Sequence, residues 1–415
     1  MEIPYGKKTL TFDPPRHVLG VLRHPEHAVR DAGSLMKDAL MNPVNKPRLS
    51  HVVRSNKPRD VVILVSDITR NIARYSELLT FVVAELVDAG IDEHNIEFII
   101  AQGSHRSHTP QETRSLYGSL VEQFTFSGHD CHGECVSLGR TSTGLEVEIN
   151  RRACDAEFVI ATGRIDFHYL AGFSGGRKAI LPGIASYRTI RDNHSKLMRG
   201  GVFVGELEGN IIAQEMQEAA QLFGIDYLVN VVETPAGVPS AVVCGEAMNA
   251  FSEGVAALLT QREVIITQPA DCAIIAAGGY PEDRTLFRGH RAMNNCLASL
   301  KPGGAIILAS ESGLGVGNDR FQRYLVDHDL DELRQYPEDR IELGGHRAFV
   351  TAKILSDHTV YVVSQCDSSV VSQMKFVPVH DVEEGIGHLN RSFKDGYTAY
   401  VIPDGMSILP VMQRT

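Results

Sequence analysis

Residues 157–194 read EFVIATGRIDFHYLAGFSGGRKAILPGIASYRTIRDNH, and this stretch decides the expected fold. It opens with an apolar run that is typical of a strand in a buried parallel sheet. The run leads into a glycine-rich loop, which is typical of the turn between a strand and a helix. Two further runs have the same form, DVVILVSD at 60–67 and NIEFIIAQGSH at 95–105. Together they predict an open, mostly parallel sheet with helices on its faces.

A second set of strand and helix patterns begins near residues 271–280, DCAIIAAGGY. We therefore expect an α/β fold of two domains, each with an open, mostly parallel sheet flanked by helices. The active site is expected in the cleft between the domains. The first domain is predicted to span residues 1–267, with the tail 400–415 as a possible completing segment. The second is predicted to span residues 268–399 and to close over the cleft.

The composition narrows the class of protein. The chain carries a formal net charge of −11, which disfavours a nucleic acid or an anionic membrane as partner, because both require a basic surface. No apolar run reaches about eighteen residues, and the first residues lack the apolar core of a signal peptide, so we expect a cytoplasmic protein. The seven cysteines are an odd number over a long chain, which is not the pattern of a disulfide framework.

The segment GHDCHGEC at 128–135 groups four side chains that could bind a metal: His129, Cys131, His132 and Cys135. Their spacing is not a standard structural zinc pattern, and a second ligand pair is missing. The segment therefore favours a turn between strands over a metal site.

Three polar side chains follow the predicted strands directly: Asp67, His105 and His168. In open parallel sheets, ligands bind beyond the carboxyl ends of the strands, so chemistry is expected at these residues. Neutral imidazole suits proton transfer near neutral pH, and it also suits coordination of nickel, copper, zinc or iron. Because the chain has 17 histidines, a single one carries little weight, and it is the grouping that indicates a site.

The glycine-rich loop that follows His168 could bind a phosphate. The small residues Ser174, Gly175 and Gly176 leave backbone amides free to face an anion, and Arg177 and Lys178 add positive charge. The loop lacks the Walker pattern, which disfavours a nucleoside triphosphatase. The alternative is a plain turn between sheet and helix with a solvated Arg-Lys pair.

Four segments resemble the signature sequences of the nickel-dependent lactate racemase family. They are SDITR (66–70), GSHR (103–106), FHYLAGFSGGRKAILPGIAS (167–186) and GGYPEDRTLFRGHRAM (278–293). The resemblance implies an isomerase that racemises or epimerises 2-hydroxy acids. It also implies a nickel-pincer nucleotide, a nicotinic-acid-derived mononucleotide whose thioamide is bonded to a lysine.

The resemblance assigns roles to individual residues. Lys178 would hold the covalent link to the cofactor, and His194 would be the protein ligand to nickel. The phosphate would lie in or near the loop 174–176. His105 and His168 would be the acid-base pair, one on each side of the substrate carbon.

The resemblance also assigns roles to residues of the SDITR segment. Arg70 would bind the substrate carboxylate with both arms of its guanidinium group. Asp67 and Thr69 would contact or orient the cofactor.

Direct removal of a proton next to an ionised carboxylate is difficult, whereas hydride transfer from carbon 2 to the pyridinium ring leaves a planar 2-keto acid. The ketone can then take the hydride back on its other face.

The chain departs from the lactate-type members in its second half. Those members have glutamine and lysine where this chain has Arg288 and Arg291, and a tryptophan near the position of His346. Two arginines three residues apart lie on one face of a helix. They predict a substrate more anionic or polar than lactate, such as a malate-like dicarboxylate or a sugar acid. Lactate or another 2-hydroxy monocarboxylate is the alternative, with the arginines paired to Glu282 or Asp283 on a solvated face.

Two functions of other classes remain open. One is a phosphate- or nucleotide-binding protein without this cofactor. The other is a zinc hydrolase that uses Asp67 and the three histidines His105, His168 and His194, although no HExxH pair supports it. If the resemblance holds, the partners are a small 2-hydroxy acid and the enzymes that build the cofactor. A homo-oligomer is also possible.

Overall fold

The computed structural model describes residues 1–25, 30–394 and 396–413. The chain divides into two compact units, which are described separately. The continuous unit is His27–Thr260, and the discontinuous unit is Met1–Glu26 with Gln261–Thr415.

Strands and helices alternate along the chain. The strands are β1 (Glu2–Tyr5), β2 (Lys8–Thr11), β3 (Val18–Val21), β4 (Val61–Ser66), β5 (Ile96–Ala101), β6 (Thr125–Gly128), β7 (Cys135–Arg140), β8 (Glu146–Asn150), β9 (Val159–Ile165), β10 (Phe167–His168), β11 (Gly172–Phe173), β12 (Tyr227–Glu233), β13 (Pro239–Gly245), β14 (Glu263–Ile266), β15 (Ala270–Ala276), β16 (Leu300–Ala309), β17 (Thr359–Val363), β18 (Val377–Val379), β19 (Ala399–Ile402) and β20 (Leu409–Met412). The helices are α1 (Ala32–Met41), α2 (Leu49–Asn56), α3 (Tyr75–Asp88), α4 (Pro110–Tyr117), α5 (Leu120–Gln123), α6 (Arg151–Asp155), α7 (Tyr187–His194), α8 (Ile211–Phe223), α9 (Ala247–Arg262), α10 (Leu286–Cys296), α11 (Asp319–Asp327), α12 (Leu330–Arg334), α13 (His346–Asp357), α14 (Ser368–Gln373) and α15 (Val382–Phe393).

The continuous unit is built on a six-stranded sheet in the order β13, β12, β9, β4, β5, β6. All neighbouring strands are parallel except β12 and β13. The strand β4, with the sequence VVILVS, is buried over its first five residues, as its apolar run predicts. Because β9, β4 and β5 are adjacent and parallel, their carboxyl ends lie at one edge of the sheet.

Helices cover this sheet where the sequence places apolar residues at helical spacing. On α3, Leu78, Val82 and Leu86 are buried and belong to the same core as the sheet. Helix α4 begins with a capping box, in which the Thr109 hydroxyl accepts the Glu112 N–H and the Glu112 carboxylate accepts the Thr109 N–H.

The discontinuous unit has a six-stranded sheet in the order β18, β17, β16, β15, β19, β3, and every pair in it is parallel. The fold class expected from the sequence, two α/β units with parallel-rich sheets and flanking helices, is therefore confirmed. No helix among the described residues is long and apolar enough to cross a bilayer.

The predicted domain boundaries need a correction at both ends of the chain. The first strands do not belong with residues 30–260, because β3 pairs with β19 and the β1–β2 hairpin packs against β15. The tail 400–415 was expected as a possible completing segment of the first domain, and this is not observed. In the tail, β19 pairs with β15 and β20 pairs with β14, and all four strands belong to the discontinuous unit. Residues 414 and 415 of that tail lie outside the described residues. Long-range pairing of this kind leaves no local signal in the sequence.

The buried strand β15 gives a test of the discontinuous unit. Ile274 is fully buried in β15, whereas Ile265 in β14 is 56% exposed. We expect Ile274→Ala to lower the free energy of unfolding by about 3 kcal/mol, since it removes buried methyl groups and leaves a cavity. The matched control Ile265→Ala should change it by less than about 1 kcal/mol. Urea unfolding of both variants measures the difference, and equal effects would contradict this packing.

Candidate active site

Side chains from three adjacent strands meet at the carboxyl edge of the continuous unit's sheet. Asp67 follows β4, His105 lies in the loop after β5, and His168 ends β10 just beyond β9. Together with Arg70, Lys178 and the loop glycines, Asp67 and His105 line a cavity at this edge. The grouping predicted from the strand ends is therefore present in the structure.

Asp67 and His105 form a carboxylate-imidazole pair. The Nδ1 atom of His105 lies 2.5 Å from Oδ2 of Asp67, and the Thr69 hydroxyl donates to Oδ1 of Asp67 at 2.7 Å. Burial would raise the pKa of the Asp67 carboxyl, but hydrogen bonds from His105 and Thr69 and the charge of Arg70 hold it below its usual value. An ionised Asp67 accepts the proton on Nδ1, so Nε2 of His105 is left with its lone pair.

His168 has hydrogen-bond donors near both of its ring nitrogens. The backbone N–H groups of Leu170 and Ala171 lie 3.3 and 3.2 Å from Nδ1. Nε2 lies 3.1 Å from Nζ of Lys178 and 3.4 Å from Nη2 of Arg70, a guanidinium nitrogen that can only donate. The ring of His168 is therefore held between the backbone of its own loop and two basic side chains of the site.

Lys178 is a buried amine. The residue is 7% exposed, and burial, Arg70 and Arg177 lower its pKa well below 10.5, against a smaller opposite effect of Asp67. Neither Lys178 nor Arg177 forms an ion pair within the described part of the chain. The site therefore favours the neutral amine, which is the nucleophilic form of lysine.

Arg177 is not the solvated arginine of the alternative interpretation. It is 2% exposed, donates from Nη2 to the Ala171 carbonyl at 2.6 Å, and places its guanidinium 4.6 Å from the centre of the Phe251 ring. Its Nε and Nη1 atoms have no hydrogen-bond partner in the part of the chain that the structure describes, and burial lowers its pKa to about 10. Arg177 thus stabilises the loop from inside and adds positive potential next to Lys178.

Two amides of the glycine-rich loop have acceptors inside the protein. The Ser174 N–H donates to the Asp166 carbonyl at 2.7 Å, and the Gly176 N–H donates to Oδ1 of Asn230 at 2.7 Å. The Ser174 hydroxyl also donates inside the protein, to the Arg164 carbonyl at 2.9 Å. These bonds hold the loop against β9 and β12, and binding of a phosphate in or near residues 174–176 stays a prediction.

Gly175 is required by the shape of this loop. Its φ angle is +81°, and a Cβ atom would lie 2.7 Å from Cγ1 of Ile165 and 2.8 Å from Oδ1 of Asn230. The glycine therefore lets the loop approach β9 and β12 closely, and the lysine that follows is directed into the cavity wall.

The sequence interpretation missed Arg164 and Glu233. Arg164 lines the cavity and donates from Nη1 to Oε2 of Glu233 at 2.7 Å, while Oε1 of Glu233 accepts the Ala73 N–H at 2.6 Å. Glu233 thus joins β9 to the segment that follows Arg70. The sequence did contain a signal for Arg164, because this residue is a charged side chain within the strand pattern of residues 157–168.

His194 lies at the end of α7, with Nδ1 3.1 Å from Oδ1 of Asn193. Within the described part of the chain, the cavity lining does not include it, and no group of three or more His, Cys, Asp or Glu side chains is arranged to hold a metal ion. Its role as nickel ligand remains a prediction.

The segment 128–135 is the turn between β6 and β7, as expected, and His129 there is fixed by the Ala185 carbonyl and Asn150.

The arginines of the discontinuous unit lie on α10. Arg288 pairs with Glu282, as the alternative interpretation expected, and Arg291 lies one turn further along the same helix. Asp283 takes no part in such a pair, because its carboxylate is buried and accepts backbone N–H groups. His346 begins α13, and burial lowers its pKa to about 4.

Two imidazoles and a buried lysine with a lowered pKa meet at the carboxyl edge of a parallel α/β sheet, which is where enzymes of this architecture bind their ligands. Residues 5–202 match the model of the lactate racemase N-terminal domain, and residues 265–410 match that of the lactate racemase C-terminal domain. The chain belongs to the lactate racemase family and is an isomerase of the racemase class.

Individual proteins show the same relationship. The chain is 31% identical to the lactate racemase of Thermoanaerobacterium thermosaccharolyticum over 99% of its own length and 98% of that protein. It is 27% identical to the lactate racemase of Lactiplantibacillus plantarum, over 99% of both chains. The solved lactate racemase apoprotein from T. thermosaccharolyticum superposes with a TM-score of 0.91 over 100% of this chain and 99% of that one. A Thermotoga maritima crystal structure, at 16% identity and a TM-score of 0.65 over 92% of this chain and 98% of its own, shares the fold alone.

The carboxylate-imidazole pair can be tested without any ligand. We expect ¹⁵N NMR of His105 to show a neutral ring protonated at Nδ1 in the unsubstituted protein. Asp67→Asn removes the anionic acceptor, so the preference for that tautomer should weaken or reverse. The control Asp38→Asn changes an exposed carboxylate on α1 and should leave the His105 signals unchanged. Identical His105 spectra for Asp67→Asn and the unsubstituted protein would contradict the pairing.

Proposed function

We propose that this chain interconverts the enantiomers of lactate, or of a similarly short 2-hydroxy acid, with a nickel-pincer nucleotide attached to Lys178. The observation that carries the proposal is the buried amine of Lys178, which lies in a cavity wall next to His168 and has a lowered pKa. Its similarity to two lactate racemases over nearly the whole chain supports the substrate class.

The environment of Lys178 fits a cofactor that is attached through a thioamide. Acylation requires the neutral amine, and the site favours that form. Once acylated, the nitrogen no longer takes up a proton, which suits a pocket that already contains Arg70 and Arg177. His194 would supply the ligand to nickel, as the family resemblance implies. When bound, the cofactor supplies an acceptor for the hydride from carbon 2 of the substrate.

The protein's own residues handle protons and orientation. Nε2 of His105 is available to take the proton of the substrate hydroxyl, and His168 would be its acid-base counterpart, as the family resemblance implies. A racemase needs both, because its two substrates are mirror images that present the hydroxyl on opposite sides. Arg70 lines the same cavity and carries the charge needed to bind the substrate carboxylate.

A substrate more anionic than lactate is not favoured. The expectation of a more anionic substrate was based on the added charge of Arg288 and Arg291, but Arg288 is paired with Glu282. The relatives that match the whole chain are named lactate racemases. Lactate is therefore the substrate to test first, with malate as the comparison.

The direct test uses protein that is matured with the cofactor-building enzymes. We expect intact mass to exceed that of the polypeptide, nickel to copurify, and the enzyme to racemise both enantiomers of lactate faster than malate. Lys178→Ala should show the bare polypeptide mass and only background racemisation, since the attachment point is gone. Lys8→Ala, on the exposed strand β2, is the control and should match the parent. Racemisation by matured Lys178→Ala, or a clear preference for malate, would contradict the proposal.

The acid-base pair gives a separate prediction. We expect His105→Ala and His168→Ala each to reduce lactate racemisation in both directions by about 10²–10⁴-fold, because every turnover needs an acid and a base. His94→Ala changes an exposed histidine in the 3-10 turn Glu93–Asn95 and should have no effect. Chiral chromatography of the products measures both directions. A variant that retained full activity in either direction would exclude that histidine from the pair.

A further inference from the structure

His108 contacts the segment that carries Arg70, although no step described so far uses it. The 3-10 turn Ile68–Arg70 follows Asp67, and the N–H of its first residue, Ile68, has no acceptor within the turn. That N–H donates to Nε2 of His108 at 2.9 Å. The contact therefore ties the start of the turn to the loop before α4.

The contact requires a neutral imidazole. Because Nε2 accepts a hydrogen bond, the neutral ring carries its own hydrogen on Nδ1, which is buried and has no hydrogen-bond partner among the described residues. The ring also stacks against Tyr117 on α4, with ring centres 6.4 Å apart and planes at 15°. These neighbours keep the ring in one orientation, with Nε2 directed at Ile68.

The charged groups around His108 come from three places. Asp67 at the end of β4 and Glu112 on α4 favour its protonated form, and Arg106 in the same loop opposes it. Burial is the largest effect, and the net pKa of His108 lies below the usual 6.5. The ring is therefore neutral at pH 7 and available as an acceptor.

We propose that His108 is a positioning residue that fixes the turn bearing Thr69 and Arg70 by accepting the Ile68 N–H. This inference rests on the proposed function in one respect, namely that Arg70 binds the substrate carboxylate. Without the acceptor, a backbone N–H next to the cavity loses its partner, and the turn is no longer held in the orientation that presents Arg70.

Acid should release the same contact. Protonation puts a hydrogen on Nε2, so two donors face each other and the hydrogen bond is lost. The neutral form is the one that holds the turn, so the contact is complete above pH 6.5 and disappears as the pH falls through the lowered pKa of His108. Binding of the substrate carboxylate should weaken over that range, which raises KM more than it lowers kcat.

Two substitutions separate the acceptor from the titration. His108→Leu removes the acceptor and keeps comparable bulk. His108→Gln keeps an acceptor oxygen near the position of Nε2 but does not titrate. His51→Leu, on the exposed face of α2, is the matched control for loss of an imidazole.

Two measurements are made on these variants. Amide exchange of Ile68, followed by NMR in the cofactor-free protein, reports the contact itself. The KM and kcat for lactate, measured in the matured enzyme between pH 5 and 8, report its consequence. Thermal unfolding confirms that each variant is folded.

For His108→Leu, we expect the Ile68 amide to exchange about 10-fold faster and KM to rise about 10-fold, with kcat changed by less than about 3-fold. His108→Gln should resemble the parent at pH 7.5 and lose the rise in KM that the parent shows in acid. His51→Leu should match the parent throughout.

Unchanged exchange of Ile68 in His108→Leu would overturn the contact, and faster exchange without a rise in KM would overturn the positioning role. A rise in KM in acid that persists in His108→Gln would overturn the role of His108 titration. If the matured parent protein does not racemise lactate, the proposed function fails, and the Ile68 exchange still decides whether His108 holds the turn.

Discussion

The site depends on a primary amine that is buried next to other cations and forms no ion pair with a carboxylate of the described residues. Lys178 lies beside Arg177 and near Arg70, and its pKa is lowered because burial and these cations disfavour another positive charge. The loop geometry contributes to this burial, since Gly175 allows close approach to β9 and β12, and Asn230 accepts the Gly176 N–H. The lowered pKa favours the neutral amine, which is the form that can make a covalent bond.

The two histidines are held by different means. Asp67 accepts the Nδ1 proton of His105, which leaves a lone pair on Nε2. His168 lies between the backbone N–H groups of Leu170 and Ala171 at Nδ1 and the Lys178 amine at Nε2. The segments that carry these residues follow the adjacent parallel strands β4, β5 and β9, so one sheet brings them together.

Much of this could be predicted from the sequence, and the exceptions have a common cause. Apolar runs and helical spacing are local signals, and they predicted the strands that bring Asp67, His105 and His168 together. The burial of Arg177, the inward-facing amide of Gly176 and the pairing of β3 with β19 depend on partners far along the chain. The residue types of the glycine-rich loop indicate an anion site, but they do not show that Ser174 and Gly176 donate their N–H groups to Asp166 and Asn230.

The charge of Lys178 is the property to measure, by NMR titration of its side chain in the cofactor-free protein. We expect the Lys178 amine to titrate with a midpoint well below 10.5. This midpoint should move upward when Arg177→Met removes the neighbouring cation. The control Lys8→Ala should leave the midpoint unchanged. If the Lys178 amine titrated near 10.5, with or without Arg177, the claim that this site lowers its pKa would be wrong.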